Sequence, residues 1–160
     1  MVEIRPATHH DLATLPQLEA RSDTLFSELG IGPLPPPGTV EELADALVVL
    51  VAGRPPEGFA RIDSLAGGAH LEQLSVHPAH MRHGIGRALL RAACQWANEA
   101  GYAAITLATY RDVPWNGPFY ASEGFEEVGS VDDWYASHGL HPEDPVMTRF
   151  GVRVLMRRAL

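Results

Sequence analysis

From Ile85 onward, Ile85, Ala88, Leu89, Ala92, Trp96 and Ala100 recur at three- and four-residue intervals, with Arg87, Arg91, Gln95 and Glu99 between them. A period of about 3.6 residues puts the apolar side chains on one face, so the segment is predicted to be an amphipathic helix that must bury that face against another layer. The flanking sequence supplies the layer. Phe59 to Asp63 and His70 to Val76 read as strands separated by the turn signal Gly67-Gly68, and Leu47 to Ala52 is a continuous apolar run suited to a buried strand. Gly101 stops the helix and Ala103 to Thr109 reads as a further buried strand. A mostly antiparallel meander that feeds a strand, helix, strand unit predicts an α/β, or layered α+β, fold.

The remaining elements are read from caps and breakers. Val2 to Arg5 is predicted as a first strand, and Thr8 followed by Asp11 as an N-cap opening a helix of about 13 residues. The prolines and glycines between Gly30 and Gly38 exclude helix and central strand, so this stretch is a surface loop. Thr39-Val-Glu-Glu42 is a capping-box pattern, Pro118 to Ser122 a short helix ended by Gly124, and Phe125 to Val128 and Val152 to Arg157 the last strands. At 160 residues and 46% hydrophobic content the chain suits one domain, residues 1–160, rather than two. No run reaches the roughly 18 apolar residues of a membrane span, and the first residues lack a signal peptide's apolar block, so a cytoplasmic location and no membrane partner are expected. A net charge of −8 disfavours nucleic acid and suits cationic acceptors. Cys94 lies within the apolar helical pattern and reads as a buried, reduced thiol.

The chemistry is concentrated in Leu74-Ser-Val-His-Pro-Ala-His-Met-Arg-His-Gly-Ile-Gly-Arg-Ala-Leu-Leu90, a strand, a turn and a helix start. Gly84 and Gly86 let the backbone bend tightly and let an anion approach its amides, and the helix beginning there adds unsatisfied N–H groups and a partial positive charge. Arg82 and Arg87 flank the turn. The same pattern also fits a tight turn that binds nothing. It does not fit a dinucleotide fingerprint, because Leu89 stands where the third glycine is needed, nor a P-loop, which needs Gly-Lys-Ser or Gly-Lys-Thr. His77, His80 and His83 straddle Pro78 and the turn rather than sharing a helix face, so no metal site is predicted.

Gly84-Ile-Gly86, with Val76-His-Pro78 before it and Arg87-Ala-Leu-Leu90 after it, resembles the pyrophosphate loop of the GCN5-related N-acetyltransferase (GNAT) family. Met81 departs from the family's usual Gln or Arg at its position. A second block, Asn116-Gly-Pro-Phe-Tyr-Ala-Ser-Glu-Gly-Phe125, resembles the family's Phe-Tyr, three residues, Gly-Phe motif. The resemblance runs from the first strand to Arg157. It implies a mixed, mostly antiparallel twisted sheet flanked by helices, and an N-acetyltransferase that moves the acetyl group of acetyl-CoA to a primary amine of a small molecule or peptide by direct attack. A non-catalytic acyl-CoA-binding regulatory module is the alternative.

The resemblance also implies roles. Arg82, His83, Gly84, Ile85, Gly86 and Arg87 would hold the coenzyme A pyrophosphate mainly through backbone amides. Leu74, Ser75 and Val76 would run beside the pantetheine arm, with a backbone N–H facing the thioester carbonyl. Asn116 would contact coenzyme A, or else merely cap its helix. Tyr120 matches the family's general acid. Several relatives carry a glutamate on the fifth strand as general base, but Ala108 stands there, and Glu72 is the candidate replacement, acting through water. The segment 132–148 is long for a hairpin connection. It reads as a lid over the acceptor pocket, with the loop 30–38 as the opposite wall, or else as a disordered loop or one contacting a second copy in a homodimer.

Overall fold

A computed structural model describes residues 2–160. In chain order the elements are β1 (Ile4–Pro6), α1 (His9–Leu12), α2 (Leu15–Ser27), α3 (Val40–Ala44), β2 (Val48–Ala52), β3 (Gly58–Leu65) and β4 (Gly68–Val76). A 3-10 turn (Pro78–His80) leads to α4 (Ile85–Glu99), followed by β5 (Ala104–Tyr110), α5 (Gly117–Ser122), β6 (Glu126–Ser130), α6 (Val131–Ser137), α7 (Pro145–Arg149) and β7 (Arg153–Ala159). The strands form one seven-stranded sheet in the order β1-β2-β3-β4-β5-β7-β6. Every pairing is antiparallel except β4 with β5.

The unbroken apolar run of β2 reflects burial on both faces of the sheet. Leu50 and Ala52 join the core under α4, which supplies Leu89, Leu90, Ala93, Cys94 and Ala97. Val49 and Val51 point the other way and pack with Leu15 and Leu18 of α2, Leu43 of α3 and Phe59 of β3. Cys94 is a free, buried thiol within the α4 layer.

The region after Thr8 folds differently from the single helix predicted. Thr8 and Asp11 do form a capping box, but it closes only the one turn of α1, and the 13-residue helix is α2. The interruption has a local cause: Pro16, in the first turn of α2, has no N–H to donate backward, so the chain restarts with proline where a first turn tolerates it. Thr39 and Glu42 form the second capping box, as read from their spacing. The first strand is shifted toward Pro6, and the segment after β6 contains α6 and α7. Among the described residues no helix is long and apolar enough to cross a membrane.

Candidate active site

The parallel pairing of β4 with β5 lasts only from Ala69–Ile105 to Leu71–Leu107. Beyond it β4 stays with β3 through Val76, while β5 stays with β7 through Tyr110, so the two central strands part company. At the parting point β4 carries a bulge. Ile62 faces Leu71 and Arg61 faces Gln73, leaving Glu72 as the extra residue, and a bulge of this kind re-aims the side chain it contains. The divergence opens a recess of about 970 Å³, lined by Leu71 to Leu74 and Val76 on one side and Leu107 to Tyr110 on the other.

One end of the recess is the loop between β4 and α4, where Met81, Arg82, Gly84, Ile85, Gly86 and Arg87 reach its surface. Gly84 is the N-cap of α4 with φ of 77°, and no side chain caps the helix, so its first-turn amides have no side-chain acceptor. Arg82 also has positive φ, 65°. Two left-handed residues so close together curl the chain into a concavity of outward amides suited to an anion. A Cβ on Gly84 would meet nothing within 4 Å, and one on Gly86 would meet only Val76 Cγ2 at 3.6 Å, so the backbone here faces open space.

Arg87 is not the free flanking cation the sequence suggested. Its Nη1 donates to Glu123 Oε1, and Arg91 Nε donates to Glu123 Oε2 at 3.1 Å. The Glu123 side chain is only 6% exposed. Glu123 follows α5, so the cluster ties α4 to α5, and the Arg87 guanidinium lies 5.4 Å from the Phe119 ring centroid. The two arginines hold the Glu123 carboxyl below its ordinary value against the opposing effect of burial.

On α5, Tyr120 lines the recess while its ring packs edge-on against Phe119 and Phe125, with centroids 5.2 and 5.9 Å away. Its hydroxyl, with no hydrogen-bond partner among the described residues, is accessible from the recess. Burial pushes the phenol well above its ordinary pKa, so it stays protonated and can donate. Asn116 does not cap α5 with its side chain. Its Oδ1 accepts from Thr109 Oγ1 at 2.8 Å, fixing the amide on β5 at the recess wall. Gly117 is required by a close approach, since a Cβ there would stand 2.3 Å from Arg111 O.

Glu72 lines the recess on its bulge with 46% of its side chain exposed. Confinement between the recess walls, reinforced by the Asp63 charge, pushes its carboxyl up to about 6. Buried His70 stands behind it, with Nε2 at 3.7 Å from Glu72 Oε2 and Nδ1 at 2.8 Å from Thr106 Oγ1. Burial drives His70 down to about 4, so the imidazole is neutral near pH 7.

The family model described as an acetyltransferase (GNAT) domain matches residues 44–127, from the end of α3 through the glycine loop and α5 into β6. The chain belongs to the GNAT acetyltransferase family. Solved structures show the same fold at low identity. A GNAT-family acetyltransferase from Staphylococcus aureus Mu50 superposes with a TM-score of 0.75 at 18% identity, covering 100% of this chain and 99% of that one. The PaiA N-acetyltransferase of Thermoplasma acidophilum, solved with coenzyme A, gives 0.68 at 20% identity, with 100% and 99% covered. The ribosomal-protein-S18-alanine N-acetyltransferase of Escherichia coli gives 0.68 at 20% identity, with 99% and 94% covered.

Most of the residues singled out in the sequence meet in this one recess of the acetyltransferase: Glu72, Leu74, Val76, Arg82, Gly84, Ile85, Gly86, Arg87, Asn116 and Tyr120. Ser75 is buried on β4 away from the lining and accepts from Gln73 Nε2 at 2.8 Å. His83 is exposed on the loop outside the lining. Among the described residues no His, Cys, Asp and Glu cluster could hold a metal. The far end of the recess of this GNAT enzyme is walled by the proline loop, Leu34 to Gly38, and by Tyr135, Glu143, Asp144 and Met147 from the segment after β6. Arg153 anchors that segment through Nε and Nη2 to the Glu143 carboxylate at 3.0 and 2.7 Å. Sequence reasoning missed Glu19 and Asp23 of α2, which also line the recess. Their four-residue separation on one helix was the available signal.

Proposed function

We propose that this acetyltransferase, acting as a single 160-residue domain, moves the acetyl group of acetyl-CoA to a primary amine of a small molecule or peptide by direct attack. One observation carries the reading: the divergence of β4 from β5 joins a glycine loop with uncapped helix amides, a phenol and a carboxylate in one recess. The concavity from Arg82 to Arg87 fits a diphosphate, because Gly84 leaves the approach clear and the amides of the α4 N-terminus lack a side-chain acceptor. Leu74 and Val76 run beside the pantetheine arm, Ser75 between them offering its main chain alone, and a main-chain N–H on the unpaired edge of β4 stabilises the developing oxyanion. Asn116, fixed by Thr109, steadies the cofactor near α5.

The acceptor enters as an ammonium and must lose a proton before its nitrogen can attack the thioester carbon. Glu72 takes that proton through water, and Tyr120 gives a proton to the sulfur as the carbon–sulfur bond breaks. Direct transfer agrees with the placement of Cys94, which is buried under α4 and does not line the recess. Incubation with acetyl-CoA and a panel of amines, read as free thiol released, tests the activity. Amine-dependent thiol release with one acetyl group on the product nitrogen is expected. Coenzyme A binding without thiol release on any amine would reduce the chain to an acyl-CoA-binding regulatory module, and no binding would remove the reading.

A further inference from the structure

Glu19 is a buried carboxylate, 9% exposed, whose side chain lines the recess. Among the described residues it has no ion pair and no hydrogen bond of normal geometry. The Gly38 backbone amide and the Arg61 charge favour its ionised form only in part, and Arg61 is committed to Asp63 through two bonds of 2.9 and 2.7 Å. Asp23 lies one turn further along α2, lines the same recess and likewise has no ion pair among the described residues. Burial and the neighbouring Asp23 charge push Glu19 up to about 7, and burial pushes Asp23 up to about 6. A buried carboxylate without a cationic partner costs the fold free energy, and a second acid beside it adds to that cost. A cation placed between them removes both penalties.

Glu72, on the sheet side of the recess, is close enough for its charge to add to the rise of Glu19, so a second ammonium on α2 and a reacting amine at Glu72 sit in one acidic region. Leu25, Phe26 and Leu34 with Pro35 and Pro36 give the recess apolar surface near α2, alongside the hydroxyls of Ser22 and Thr39. The apolar surface suits the methylene groups of an acceptor's stem. Resting on the acetyl-transfer reading above, we propose that the acceptor is an aliphatic diamine whose second ammonium sits between Glu19 and Asp23 while its reacting nitrogen stands at Glu72 and Tyr120. The chain then has a cation subsite on α2 beside its proton-transfer groups, and selects its acceptor by the spacing of two charges along a hydrocarbon stem.

The test compares butylamine, diaminobutane, diaminohexane and a peptide with a free α-amine as acceptors for the wild-type enzyme with acetyl-CoA. A charge-assisted contact to the second ammonium is expected to favour one of the diamines over butylamine by at least about tenfold in kcat/KM. In a Glu19→Gln, Asp23→Asn variant that ratio should fall toward one. Wild-type stabilisation by the preferred diamine alone, weakening with salt, provides a reading that does not need the variant to fold. Equal kcat/KM for butylamine and both diamines, a preference for the peptide, or an unchanged ratio in a folded variant would overturn the proposal. Loss of thiol release with every acceptor would instead strike the acetyl-transfer reading itself.

Discussion

Tyr120 and Glu72 have environments that push both groups toward their protonated forms, with different consequences for catalysis. In the proposed mechanism the raised pKa of Tyr120 keeps the proton that the leaving thiolate needs. Tyr120→Phe is expected to lower kcat by about 10²-fold or more with little change in coenzyme A affinity, and unchanged turnover would remove the phenol from the mechanism. For Glu72 the raised value of about 6 means that the carboxylate is available as a base only above that pH. Wild-type kcat/KM should therefore rise as pH increases through about 6, and Glu72→Gln should lower the rate and abolish that limb. Retention of the limb in the variant would assign it to another group, and the nearby Asp23 carboxyl is the one to examine next. At this scale the sequence offered residue types but not their surroundings. Nothing in Glu72 itself announces that it occupies a bulge beside a neutral His70, because both conditions arise from pairing with β3 and packing over β5.

The elements that hold these groups were legible in proportion to how local their determinants are. The α4 period, the Thr8 N-cap, the Thr39–Glu42 capping box and the glycine loop lie within a few residues of sequence, and each formed where read. The long first helix did not, because Pro16 restarts the chain after one capped turn. Glycines in the two site loops serve different constraints, which substitution should separate. Gly84→Ala must hold a left-handed backbone and is expected to cost about 1–2 kcal/mol of stability and to weaken coenzyme A binding. Gly117→Ala drives a Cβ against Arg111 O and should cost more, because backbone rather than a flexible side chain must move. Gly86→Ala meets only ordinary contact and should stay within about 0.5 kcal/mol of wild type. Urea unfolding of the three variants measures the order, and a Gly86→Ala loss as large as that of Gly117→Ala would contradict it.

Across the whole molecule, acid and neutral pH act on stability through different carboxylates. Asp11 is held below its ordinary range chiefly by its hydrogen bonds from Arg5, so its contribution is complete above about 3.8 and is lost as pH falls. Glu19 is raised from 4.5 to about 7, so the folded state binds the extra proton, and stability is lost as pH rises from about 4.5 through 7. Without ligand, Glu19→Gln should raise stability at pH ~8 by on the order of 2–3 kcal/mol and change little below pH ~4.5, as seen in thermal unfolding at the two pH values. Equal effects at both would show that Glu19 is not strained by its charge. The sequence by itself determined the layered fold, the caps and the glycine turn before α4, since apolar period, cap spacing and glycine placement act over a few residues of chain. Only the tertiary structure decided that Glu19 and Asp23 of α2 share a recess with Glu72, that Arg87 pairs with Glu123, and that the chain after β6 lines the same recess as the proline loop. Those relations join residues far apart in the chain, and they exist only once β4 and β5 have separated and the helices have packed around the opening.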